Sequence, residues 1–145
     1  MAVQLTLKDF AKPPRGAAAV WQARTPVATP FGDFVVELGS APDAELLAVA
    51  NELAAFVSSN FGDVFEVVFA DYQRACEDRQ WMRGCDVPLR LPYNRVPEFV
   101  RDRTISVRRE RSGTVSGTLF LVPEWDVEHG IELVIRDGRL VRREG

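Results

Sequence analysis

The chain alternates between two hydrophobic periods, near two at both ends and near 3.6 in the middle. Residues 3–7 alternate as Val-Gln-Leu-Thr-Leu and predict a short strand. Pro13-Pro14-Arg15-Gly16 breaks the chain, and Ala18–Arg24, centred on Trp21, predicts a second strand. Pro26, Pro30 and Gly32 mark a turn before a third strand over Asp33–Leu38. Ser40-Ala41-Pro42-Asp43 then reads as a helix start, with Ser40 as the cap and Asp43 completing a capping box. Leu46, Val49, Ala50, Leu53, Phe56 and Val57 follow at helical spacing. Ser58-Ser59-Asn60 and Gly62 interrupt that helix. A second one places Val64, Val67, Val68, Tyr72 and Cys76 on one side and ends near Gly84. The two predict an antiparallel pair or a bent helix.

Residues 86–100 hold Pro88, Pro92 and Pro97 and read as a connecting loop, with Tyr93, Val96 and Phe99 as its anchors. From residue 102 the period returns to two. Thr104–Arg109 and Thr114–Val122 predict strands joined at Arg111-Ser112-Gly113. Gly117 inside the second suggests a bulge or a close backbone approach. Ile131–Arg136 and Arg139–Arg143 flank Asp137-Gly138, a strong hairpin signal. A two-residue loop sets Ile135 opposite Leu140, Val134 opposite Val141 and Glu132 opposite Arg143. All three pairs are favourable. Strands, a helical block and a β meander predict one α+β domain over residues 1–145. Its sheet is antiparallel, with the two helices packed on one face.

Composition agrees with a folded domain: 145 residues, 46% hydrophobic and 27% charged. A chain of this size buries about two-thirds of its unfolded surface and can hold a core without disulfides or metal. Two cysteines, Cys76 and Cys85, are too few for a secreted disulfide framework and fit no zinc spacing. The start of the chain lacks a signal-peptide pattern, and no apolar run approaches the ~20 residues of a membrane span. A cytoplasmic protein with reduced thiols is the expectation. Net charge is −3, which disfavours non-specific binding to nucleic acid or anionic membranes. The acidity lies in residues 1–72, with 4 basic against 9 acidic residues; the second half has 14 against 12.

Chemistry concentrates in Trp125-Asp126-Val127-Glu128-His129-Gly130, which holds the only histidine. As a structured turn, Trp125 packs on the sheet edge, Asp126 accepts backbone hydrogen bonds, His129 bonds a neighbour and Gly130 takes an angle other residues resist. As a recognition surface, Trp125, Asp126, Glu128 and His129 form the binding site, with Trp125 as its anchor. As a hydrolytic or metal site, Asp126, Glu128 and His129 act as ligands or acid–base groups. One histidine cannot supply a His₃ or His-Glu-x-x-His zinc set. On an extended strand His129 would point away from both acids, so only a tight turn unites them. A nucleophile from Cys76 or Cys85 with His129 as base is a fourth reading.

This segment, with the Asp-Gly hairpin after it, resembles an uncharacterised bacterial domain family with a C-terminal W-D-x-E-H-G turn. The resemblance implies N-terminal strands, a helical segment, and a role as an immunity-type or other interaction protein. Arg101, Arg103, Arg108, Arg109 and Arg111 cluster around one strand, and RNA binding there is a further reading, although Asp102 and Glu110 dilute them and no aromatic platform interleaves them. No phosphate-loop glycine pattern is present. The expectation is a non-enzymatic interaction protein without cofactor that binds and neutralises a protein partner, a basic one by charge. On that view Trp125→Ala weakens binding and leaves the fold intact. The alternative is a small hydrolase or metal-dependent enzyme centred on Asp126, Glu128 and His129.

Overall fold

The computed structural model describes residues 4–15 and 20–143. Strands β1 (Phe10–Ala11), β2 (Trp21–Ala23), β3 (Val27–Thr29) and β4 (Gly32–Leu38) precede helices α1 (Ala44–Ser59), α2 (Phe61–Glu77) and α3 (Arg79–Arg83). A 3₁₀ segment at Tyr93–Phe99 leads into β5 (Val100–Arg109), β6 (Val115–Pro123), β7 (Ile131–Arg136) and β8 (Arg139–Arg142). The strands form one eight-stranded sheet in the order β1-β2-β4-β5-β6-β7-β8, with β3 also paired to β4. The class is α+β, and every pairing is antiparallel except β4 with β5. That parallel joint arises because the chain crosses over through the helices between β4 and β5. No helix among the described residues is long and apolar enough to cross a membrane.

The strand expected at residues 3–7 is absent from the described residues 4–7; residue 3 lies outside them. The Asn51 side chain takes the ladder's place. Its Oδ1 accepts from the Leu5 amide at 2.7 Å, and its Nδ2 donates to the Leu5 carbonyl at 3.1 Å. Leu7–Asp9 then forms a 3₁₀ turn, with Thr6 N–H donating to Asp9 at 2.7 Å. The expected second strand survives as β2, and its residues 18 and 19 lie outside the described ones.

Helix α1 is capped by Asp43, three residues after the expected Ser40. The Asp43 carboxylate accepts from Leu46 N–H at 2.9 Å. Pro42 therefore stays outside the helix. Leu46, Ala50, Leu53 and Val57 pack α1 onto β5 and β6. Gly117 makes this possible: a Cβ there would stand 2.4 Å from Leu53 Cδ1 and 2.8 Å from Val49 Cγ1. The glycine marks a close approach, while the register shift in β5 falls between Val100 and Asp102. Across the sheet, Val36, Leu38, Ile105, Val107, Leu119, Leu121, Ile131 and Leu133 are fully buried. Each such side chain contributes about 1.5–3 kcal/mol relative to leaving it exposed.

The helices meet at Asn60 with a 78° bend, so they form a bent pair and not an antiparallel one. Asn60 ends α1 through its N–H to the Phe56 carbonyl (2.7 Å) and opens α2 by accepting from Asp63 (3.0 Å). The expected second helix divides in two, because Asp78 leaves helical geometry and caps α3 through Trp81 N–H (3.0 Å). Helix α2 buries Val64, Val68 and Tyr72 as expected, and Asp71 as well; Val67 and Cys76 are half-buried. The β7–β8 hairpin has the register read from sequence: Ile135 faces Leu140 and Val134 faces Val141. Arg143 reaches Glu132 at 3.2 Å. Asp137 and Gly138 both take positive φ, 52° and 74°.

Candidate functional site

The loop after β6 opens at Glu124, whose N–H bonds the Phe99 carbonyl at 2.8 Å. It closes at Gly130, whose N–H bonds the Asp126 carbonyl at 3.1 Å. Gly130 has φ 68°, and a Cβ there would lie 2.7 Å from the Phe120 ring and 3.0 Å from the Leu121 carbonyl oxygen. Both the backbone angle and the space require glycine.

The turn unites some of the residues that sequence singled out. Asp126 Oδ1 accepts from the His129 amide (3.2 Å) and contacts His129 Nδ1 (2.9 Å). Glu128 is exposed at the loop tip, beside Val127, with no hydrogen bond among the described residues. His129 is exposed too, and its ring lies 6.4 Å from that of Trp81. Among the described residues no group of three or more His, Cys, Asp or Glu side chains is placed to hold a metal.

Trp125 turns inward, where a surface anchor would turn outward. It is 2% exposed, with its ring edge-on to Tyr72 at 5.2 Å. Its Nε1–H donates to Asp71 Oδ2 at 2.9 Å. The other Asp71 oxygen accepts from Arg74 (2.5 Å) and Arg142 (2.6 Å). A carboxylate buried on the apolar side of a helix survives because each oxygen is paired. Burial pushes the Asp71 carboxyl up. The bonds from Trp125, Arg142 and Arg74 outweigh that and hold it below its ordinary value. Asp71 thus clamps the loop and β8 onto α2.

The exposed aromatic of this region is Trp81 on α3, 43% exposed. Its Nε1–H donates to the Trp125 carbonyl at 2.5 Å, which fixes the indole against the loop. Trp81 forms part of the wall of an open hollow of about 520 Å³ between α3 and the loop. Among the described residues lining it, four are carboxylates (Asp78, Glu124, Asp126 and Glu128) and none is basic. Cys85 and Val127 add apolar surface. A smaller hollow of about 300 Å³ on Trp81 is lined by Asp71, Arg74 and Arg142. Sequence reading missed Trp81, Asp78 and Glu124. No local signal marked Trp81 as the exposed one, since buried Trp125 also stands between polar residues, Glu124 and Asp126.

Cys85 lines the hollow, whereas Cys76 and the arginine strand are engaged elsewhere. Cys85 Sγ sits 3.5 Å from the Met82 carbonyl, and Cys76 lies beside the Tyr72 phenol. Burial raises the Tyr72 pKa, Leu91 N–H lowers it in part, and Cys76 raises it further. Tyr72 O–H donates to the Pro88 carbonyl and accepts from Leu91 N–H at 3.0 Å. Arg109 binds Asp43 (2.8 Å) and Glu45 (3.2 Å) at the start of α1. Arg103 points inward, 5.4 Å from the Phe31 ring centre, and donates to the Pro97 carbonyl at 3.0 Å. Arg101, Arg108 and Arg111 are exposed. The strand therefore does not present its arginines as one basic surface.

The model of a family described as a domain of unknown function, DUF6985, matches residues 15–144. No curated protein and no solved structure matches the chain.

Proposed function

The chain belongs to the DUF6985 family, a domain of unknown function, and from that premise we propose that it is an interaction domain for a basic segment of a protein partner. The partner docks in the hollow between α3 and the β6–β7 loop. One observation carries the reading: an exposed, internally fixed tryptophan stands among four carboxylates, and no basic residue among the described ones shares the wall of the larger hollow. Tryptophan at a fixed position is the residue type that dominates interface energies. Carboxylates around it favour a positive partner and raise the association rate, an effect that salt suppresses. In its finer form this is an immunity-type role, in which the domain covers and neutralises a basic protein.

The test is photo-crosslinking from position 127, where Val127 is 49% exposed at the loop tip. The expected product carries a crosslink in a net-basic segment of one partner. Capture should fall at least tenfold in a Glu124→Arg/Glu128→Arg double variant and weaken as salt rises. Capture unchanged in that variant and in Trp81→Ala would refute the reading.

A further inference from the structure

Taking that hollow as the docking surface, the bonds inside it narrow the group it holds. The Trp81 indole N–H is already used, so the ring is held in place and offers a face, not a donor. Two carboxylates line the same hollow, each half-used. Asp78 commits Oδ1 to the Trp81 amide, and Asp126 commits Oδ1 to His129. Oδ2 of each has no hydrogen bond among the described residues. Asp78, Trp81 and Asp126 also line both hollows, so the indole stands where the two meet.

We propose that the group seated there is an arginine side chain of the partner. Its guanidinium lies flat on the Trp81 indole and donates to the free oxygens of Asp78 and Asp126. Its methylene stem rests on Val127 and Cys85. Several properties favour arginine over lysine. The guanidinium is planar, weakly hydrated and stacks on aromatic faces, whereas an ammonium is a compact and strongly hydrated point charge. Tryptophan is the strongest aromatic partner for a cation. The several N–H donors of a guanidinium also suit two separate carboxylates lining one hollow.

The experiment is an NMR titration of the ¹⁵N-labelled full chain with a blocked Gly-Arg-Gly peptide. The Trp81 indole N–H resonance, assigned by its loss in Trp81→Phe, is the reporter. The expected result is a saturable shift of that resonance. Binding should be at least tenfold weaker for the lysine peptide and undetectable for the citrulline peptide, which keeps the shape without the charge. Glu124→Gln/Glu128→Gln should weaken binding several-fold with the thermal midpoint unchanged. In Trp81→Ala, followed through the backbone amides of residues 124–129, the peptide should produce no saturable shift. Equal binding of the lysine or citrulline peptide would overturn the proposal, as would the absence of a saturable shift. If the arginine peptide fails while crosslinked capture still depends on Trp81, the arginine assignment falls and the docking surface stands. If capture is also indifferent to Trp81 and to charge reversal, both fall.

Discussion

Asp71 offers the sharpest test of how this site is held together. Removing its carboxylate by Asp71→Ala strands the Trp125 indole N–H in a position 2% exposed. An unsatisfied buried donor costs about 1–3 kcal/mol. The two arginines matter less, because Arg74 is 65% exposed and Arg142 39%. Pairs this exposed contribute about 0–1 kcal/mol each. Asp71→Ala should therefore lose about 1–5 kcal/mol, a fall of about 3–15 °C in thermal midpoint for a domain of this size. Asp71→Asn keeps an oxygen for the indole but turns its NH2 group toward the Arg74 and Arg142 donors, so it loses both ion pairs and should cost about 1–2 kcal/mol. The sign of the pH dependence follows from the depressed pKa. The ionised carboxylate stabilises the fold fully above the ordinary aspartate value of 3.8 and loses that contribution as pH falls through the lower folded value. Urea unfolding followed by tryptophan fluorescence at pH 7 and pH 3 measures all of this. Equal costs for the alanine and asparagine variants would refute the indole argument. A gap between Asp71→Asn and the parent that does not shrink in acid would refute the charge argument.

Other outcomes follow from the same geometry. Trp125→Ala should cost about 3–5 kcal/mol by emptying a buried aromatic site, whereas Trp81→Ala should cost about 1–3 kcal/mol, since it removes one hydrogen bond and the buried half of a ring that is 43% exposed; calorimetry separates the two. Gly130→Ala should be more destabilising than Gly138→Ala. Both positions have positive φ, but only at Gly130 would the new methyl meet Phe120 and the Leu121 carbonyl. Gly117→Ala should cost about 1–3 kcal/mol by pushing α1 off the sheet. A paired Leu53→Ala change should recover part of that loss, as measured by a double-mutant cycle.

Local rules carried most of the fold. Asp137-Gly138 determined the β7–β8 register because a two-residue turn leaves no freedom in pairing. The Leu46–Val57 spacing located α1 because its face is buried against a sheet. Gly117 announced a close approach, although only the packed structure identifies Leu53 and Val49 as its cause. Long-range facts were illegible. Nothing near Leu5 shows that Asn51, 46 residues away, replaces its ladder partner. The parallel pairing of β4 with β5 depends on the whole helical crossover. Within the six-residue turn, the structured-turn reading describes Asp126, His129 and Gly130. The exposed aromatic came from a different element, because a residue's own neighbours do not say whether Trp125 or Trp81 faces solvent. That choice was made by Asp71, which lies inside a helix and gives no sign in sequence of being buried.

The parallel joint between β4 and β5 also bears on the order of assembly. Strand β4 pairs with a strand that begins only at Val100, after all three helices. Strands β5 to β8 form a meander of successive antiparallel pairs and can zip locally, whereas closing β4 onto β5 needs a contact distant in sequence and forms slowly. During synthesis from the N-terminus, β4 is complete long before its partner exists. Its Val35, Val36 and Leu38 edge is then an unpaired template for other chains. Slow or stalled translation across the helical block is thus the point at which this domain is most exposed to aggregation.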